Sequence, residues 1–228
     1  MSRTAPRVLL LAALIAACAH SETSSGTTTS TANGTLAMVT MPKDSISDRA
    51  DRGRIAGDST ATVWLIMASD FQCPYCKQWH DAAFTTIMQE YAAKGRIRMA
   101  FLNFPLSMHP NAVPASEAAM CASVQNKFWP MHEALFAAQD KWAPLQNPAG
   151  VFDSLATTVG LNMTQFRQCM SQHLTLPLIQ ADHDRARQSG VGSTPTFFIG
   201  NQMLSGADKD IRAALDAALA KPGKKPAS

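Results

Sequence analysis

The N-terminal apolar run, Val8–Ala17, has ten residues, well short of the about twenty that a membrane-crossing helix needs. Charge of one sign is also lacking: Lys+Arg is 20 against Asp+Glu 17, a formal net charge of +3. That excess is too slight and too scattered to form a footprint for nucleic acid. There is no Gly-rich phosphate loop, no serine nucleophile elbow, no pair of carboxylates at one site and no internal repeat. No cofactor is therefore expected. What is present, 46% hydrophobic residues over 228 positions, excludes a disordered or fibrous chain and supplies one or two domains with an apolar core.

Arg3 and Arg7 precede the run Val8–Ala17, the order of an export signal. Ile15-Ala16-Ala17-Cys18 resembles a bacterial lipobox, in which Cys18 becomes acylated after cleavage; a plain signal peptide is the alternative. Removal of residues 1–17 takes away two Arg and no acid, leaving a nearly neutral chain. Residues 21–35 (SETSSGTTTSTANGT) contain no large apolar side chain and read as a flexible tether. By random-coil scaling such a tether reaches about 25 Å.

With Cys18 set aside, four cysteines remain, an even number that suggests two disulfides in an exported chain. Cys73 and Cys76 form C-x-x-C, whereas Cys121 and Cys169 stand far apart. Thr62–Ala68 reads as a buried strand leading into the C-x-x-C. Trp79, Ala83, Phe84, Ile87, Met88 and Tyr91 then recur at helical spacing, with Gly95 as the cap. Ile97–Leu102 reads as a second strand, which makes a βαβ unit with a parallel pair. Residues 111–189 read as helical, with breaks at Pro130, Asn147-Pro148, Gly160 and Pro177. Thr196–Ile199 and Gln202–Ser205 around Gly200-Asn201 predict a hairpin, and Ile211, Leu215, Ala218 and Leu219 a last helix before a basic tail.

A strand running into Cys73-Pro74-Tyr75-Cys76 at a helix start is the setting in which C-x-x-C carries redox chemistry. Unsatisfied N–H groups and the positive end of the helix dipole favour the first thiolate. Cys73 is then the attacking sulfur, and Cys76, deeper and less exposed, the resolving one. Pro74 suits the first helical position, since it has no N–H to lose there. The competing reading is half a zinc site, Cys73, Cys76 and His80, which lacks a fourth ligand in sequence. His80 could tune the thiols, although a helix-surface histidine is the plainer role. His132 reads as a surface or capping residue, His109 and His173 carry no signal, and Trp129, Phe136 and Phe166 read as core. The twelve Met residues are spread along the helices and read as gap-filling core rather than copper ligands.

Four segments in order, Asp70–Cys76 (DFQCPYC), Phe104-Pro105-Leu106 with His109–Ala112, Lys127–His132 (KFWPMH) and Gly192–Phe198 (GSTPTFF), resemble the DsbA-like branch of the thioredoxin superfamily. The resemblance runs from about Asp51 to Leu219. It implies an α/β thioredoxin fold with an inserted helical domain: signal peptide 1–17, tether 18–45, first half 46–107, insertion 108–189, second half 190–221 and basic tail 222–228. It implies a cis Pro195 beside the active-site cysteines, with Thr194 pairing its backbone to an extended substrate; a trans proline in a turn is the alternative. It also implies a second disulfide between Cys121 and Cys169, worth roughly 4 kcal/mol for a loop of about 48 residues; two unpaired core cysteines are the alternative. One departure stands out. The buried acid six residues before the first cysteine in the family pattern is Met67 here, and Asp70 is expected at the strand end, not beneath the site. Proton transfer from Cys76 is left to water or His80.

These readings converge on an exported, lipid-anchored, monomeric thiol:disulfide oxidase acting on reduced exported proteins and recharged by a quinone-linked membrane partner of the DsbB type. The alternatives are an isomerase or reductase kept reduced by a membrane partner, or a tethered metal- or peptide-binding module.

Overall fold

The structure, a computed structural model, describes residues 45–220. Cys18, the signal and tether segments and the basic tail lie outside the described residues.

A five-stranded sheet in the order β1-β3-β2-β4-β5 organises the molecule. β2 (Trp64–Ser69) and β3 (Arg98–Asn103) are the parallel pair, in the register Leu65 with Met99 and Met67 with Phe101. Those four side chains are at most 1% exposed and line one face, as period-two alternation requires. β4 (Thr196–Ile199) runs antiparallel to β2, and β5 (Gln202–Ser205) antiparallel to β4. The hairpin turns at Gly200-Asn201, where Gly200 takes the positive φ of 58° that glycine adopts without steric cost.

Two elements escaped the sequence reading. β1 (Ile55–Gly57) adds an antiparallel edge to β3, and α1 (Ile46–Gly53) precedes it. Ser45 and Asp48 close a capping box at the start of α1. A three-residue strand offers no periodicity to detect.

α2 (Pro74–Trp79) continues through a π-helical turn at His80–Phe84, a short α3 (Thr85–Ile87) and a second π turn at Met88–Ala92. Trp79, Phe84, Ile87 and Tyr91 are buried along this stretch, Trp79 against Phe197 of β4 and Phe84 against Trp129 and His132 of α5. Six helices then follow: α4 (Ala112–Ser123), α5 (Phe128–Ala137), α6 (Gln139–Trp142), α7 (Ala149–Thr158), α8 (Met163–Ser171) and α9 (Leu176–Gln188). α10 (Ile211–Leu219) returns to pack on β4.

Pro130 and Pro177 do not break helices. Both sit in the first turn, of α5 and α9, where no intrahelical N–H bond exists to be lost. The break before α5 falls at Asn126, with φ 59°. Pro148 caps α7 while the Asn147 side chain accepts from the Ala149 N–H at 3.1 Å, so the break at Asn147-Pro148 is the start of a helix.

The last helix before the hairpin is fixed to the sheet by a buried ion pair. Arg54, following α1, donates to the Asp182 carboxylate on α9 and to the Phe101 carbonyl at 3.1 Å. Asn103 donates to the same carboxylate through its amide Nδ2 at 2.7 Å and its backbone N–H at 3.2 Å. Arg54 also donates to Asp51, three residues back, through Nε at 3.0 Å, so the desolvated charges are held as one unit.

Candidate active site

β2 delivers the chain to Asp70, and a tight turn carries it to Cys73, whose N–H donates to the Asp70 carbonyl at 3.1 Å. Cys73 is the N-cap of α2 and Pro74 occupies the first helical turn. Cys73 and Cys76 are free thiols, 3% and 1% exposed. The first cysteine is thus nearly as buried as the second, contrary to the expected contrast in exposure. What separates them is electrostatics.

The Cys76 thiol hydrogen-bonds Cys73, and the backbone N–H groups of Cys76 and Tyr75 add to it; against the cost of burial they pull the Cys73 pKa down to about 6. Burial, with the Cys73 sulfur alongside, pushes Cys76 well above the ordinary thiol range. One sulfur is poised as a thiolate and the other held as a thiol. Ser69 hydrogen-bonds Cys76, so a hydroxyl and not an acid is its side-chain partner at the end of β2. Met67 is 1% exposed and contributes only packing.

The Thr194–Pro195 peptide bond is cis, and the Thr194 carbonyl accepts from Cys73 Sγ at 3.6 Å. Beside it, a cleft of about 410 Å³ is lined by Tyr75, Gln78, Ser193, Thr194, Gly206 and Asp208. Tyr75 is 63% exposed and forms the outer lip.

Asp70 lies at the strand end, but its fully buried carboxylate has its own partners: the N–H groups of Gln72 at 2.7 Å and Leu106 at 2.9 Å, and His109 Nδ1 at 2.7 Å. Burial raises its pKa against these bonds. His109, without signal in the sequence, therefore ties the Cys73 loop to residues 106–109.

Two histidine readings are corrected. His80 is not a surface residue: its ring stacks on Phe84 and Phe136, each at 4.9 Å. Burial lowers its pKa, and its Nε2 has no hydrogen-bond partner. His132 is neither exposed nor a cap; at 1% exposure it sits among Phe71, Phe84, Phe101, Trp129 and Phe136, 5.2 Å from the His80 ring. That apolar shell drives its pKa well below the usual imidazole value. The spacing Phe128, His132, Phe136 puts it on the buried stripe of α5, a signal the sequence did contain. Among the described residues no three His, Cys, Asp or Glu side chains are grouped to hold a metal ion.

Cys121 on α4 and Cys169 on α8 are joined by a disulfide, with Cα atoms 5.8 Å apart. Gln72 and Asn111, within the segments that carry the family resemblance, and Gln139, which carried no sequence signal, surround the Cys73 loop with side-chain hydrogen bonds.

Comparison with known proteins agrees with this geometry. A family model described as thioredoxin matches residues 49–217. Among curated relatives, a Na(+)/H(+) antiporter NhaA 3 of Salinispora tropica is 32% identical over 157 residues, 68% of this chain and 23% of that protein. The chain thus spans about a quarter of the length of the antiporters it matches. A probable disulfide bond formation protein D of Bacillus anthracis is 22% identical over 77% of this chain and 87% of the relative. Two solved structures share the fold. Oxidised BdbD of Bacillus subtilis has TM-score 0.66, 22% identity and coverage of 74% and 94% of the two chains. Wolbachia pipientis alpha-DsbA1 has TM-score 0.65, 22% identity and coverage of 73% and 90%.

Proposed function

The chain belongs to the thioredoxin family and has the DsbA-type fold, and from that premise we propose that it is an extracytoplasmic thiol:disulfide oxidoreductase that introduces disulfides into exported proteins. The observation that carries this reading is the division of labour between the two thiols, Cys73 favoured as thiolate at about 6 and Cys76 kept protonated.

In the oxidising cycle a client thiolate attacks Sγ of the Cys73–Cys76 disulfide at Cys73. Cys76 leaves with the electron pair and takes up a proton, which its raised pKa favours. A second client thiolate then attacks the client sulfur of the mixed disulfide, and Cys73 departs as thiolate. A low-pKa thiolate is the better leaving group, so this step runs toward client disulfide and reduced protein. Thr194, beside the cis bond and lining the cleft with Tyr75, is placed to pair its backbone with an extended client. Thr194 and Pro195 are in this reading the substrate-contacting residues, and Pro74 and Tyr75 the loop that presents Cys73.

The protein acts as a monomer outside the cytoplasm, anchored by a lipid on Cys18 and reoxidised by a quinone-linked membrane partner. Cys121–Cys169 is structural. The test is the reduction potential of the Cys73/Cys76 pair against glutathione, with Cys121 and Cys169 followed separately. A value near about −120 mV is expected, and one near about −270 mV would mark a reductase and overturn the oxidase reading.

A further inference from the structure

The segment Asp70–Cys73 is gripped from outside by one very short helix. Gln139, the first residue of α6 and 5% exposed, donates its Nε2 amide to the Phe71 carbonyl at 2.7 Å and the Cys73 carbonyl at 3.1 Å. An amide NH₂ has two donors, and both are used. At the other end of α6, Asn111 Nδ2 donates to the Ala143 carbonyl at 3.1 Å and the Leu145 carbonyl at 2.8 Å. Gln72 Nε2 donates to the same Ala143 carbonyl at 3.0 Å, and its Oε1 accepts from the Asn111 N–H at 2.6 Å. A helix C-terminus leaves such carbonyls without intrahelical partners. Here the Cys73 loop and its neighbour supply them. Trp142 Nε1, donating to the Leu135 carbonyl at 2.8 Å, locks α6 onto α5.

The two carbonyls held by Gln139 flank the Gln72–Cys73 peptide. The Cys73 carbonyl also accepts the first helical N–H, from Lys77 at 3.2 Å, so its direction sets how α2 begins. Cys73 keeps its sulfur at the positive end of α2, where a thiolate is favoured, only while it stays in its N-cap conformation, φ −70° and ψ 125°. Hydrogen bonds weaken steeply once their angle is lost. We propose that Gln139 is a positioning residue for Cys73, its side-chain amide fixing the loop so that the attacking sulfur is held at the N-terminal end of α2. The inserted helices thereby set the chemistry of a thiol they never touch. The proposal rests on Cys73 being the attacking sulfur.

The test replaces Gln139 with methionine, equal in length and without donors, and titrates the Cys73 thiolate by its ultraviolet absorbance. The expected result is a midpoint raised from near 6 by about one unit, with an equilibrium constant against glutathione about tenfold less oxidising, which is about 30 mV. A variant that melts earlier while midpoint and constant stay where they were overturns the proposal, since a merely structural glutamine would behave so. Side-chain amide hydrogen exchange in the unsubstituted protein decides independently if Gln139→Met does not fold. Slow exchange at Gln139 supports the bracket, and exchange as fast as that of exposed Gln78 overturns it. An unsubstituted Cys73 that titrates as an ordinary thiol overturns both this proposal and the functional reading, which separates that failure from a failure at Gln139 alone.

Discussion

The molecule contains two cysteine pairs of similar burial and opposite character. Cys73 and Cys76 lie one helical turn apart where a helix begins, under backbone N–H groups and beside a carbonyl. Cys121 and Cys169 are separated by 48 residues, sit within α4 and α8, and have Thr175 Oγ1, 3.9 Å from Cys121 Sγ, as a polar neighbour. All four are at most 5% exposed. Exposure therefore does not tell a reactive cysteine from a structural one in this fold. The dipoles around the sulfur do, because they decide whether a thiolate is tolerated.

The comparison is broken most severely by exchanging the consequences of loss. Cys73→Ser is expected to bring oxidation of a reduced, unfolded client to the uncatalysed rate, with the thermal midpoint little changed. Cys121→Ala with Cys169→Ala should retain that activity and lose about 2–5 kcal/mol of unfolding free energy in urea titration. Loss of activity in the second variant without loss of stability would mean the distal pair takes part in electron transfer.

A smaller effect sharpens the contrast through pH. Alkylation of the reduced protein by iodoacetamide should rise with a midpoint near pH 6 and label Cys73, while Cys76 stays unlabelled far above that pH. The sign follows from the lowered Cys73 value. Its thiolate stabilises the reduced fold fully above the unfolded thiol pKa of about 8.5, and that contribution is lost as pH falls through about 6. The oxidised protein has no such thiolate, so the stability gap between the two redox forms should narrow in the same window. Urea titrations of both forms across that range check it.

The smallest change concerns His80, one turn beyond Cys76. His80→Phe keeps the ring between Phe84 and Phe136 and removes a buried nitrogen without a partner. The alkylation midpoint is expected to stay put and the unfolding free energy in urea titration to hold or rise, by about 1 kcal/mol at most. A displaced midpoint would restore His80 as a tuning group.

Much of the site was legible because its signals are local. The Cys73–Cys76 spacing, Pro74 after the cap, and the hairpin turn at Gly200-Asn201 each depend on neighbours within a few residues. The αβ order around the motif followed from periodicity in Thr62–Leu102. What stayed hidden depends on contacts between distant segments. Gln139 and Asn111 are ordinary polar residues until α6 is laid against the Cys73 loop, and His109 is mute until Asp70 is buried beside it. His132 was misread for another reason: its place on an apolar stripe was visible, but a polar residue type outweighed the spacing. The π turns after Trp79 likewise answer to packing on the sheet and leave no mark in composition.

The buried pair of Arg54 and Asp182 has partners 128 residues apart. Arg54 also pairs with Asp51, three residues back, so a chain made or threaded from its N-terminus supplies one carboxylate early and the buried one late. Until α9 arrives, the half-exposed Asp51 is the acid that Arg54 meets, and the Phe101 carbonyl is its partner on the sheet. A copy ending before Asp182 would keep the Arg54–Asp51 contact at the surface and lose the buried one that ties the last third of the chain to the sheet.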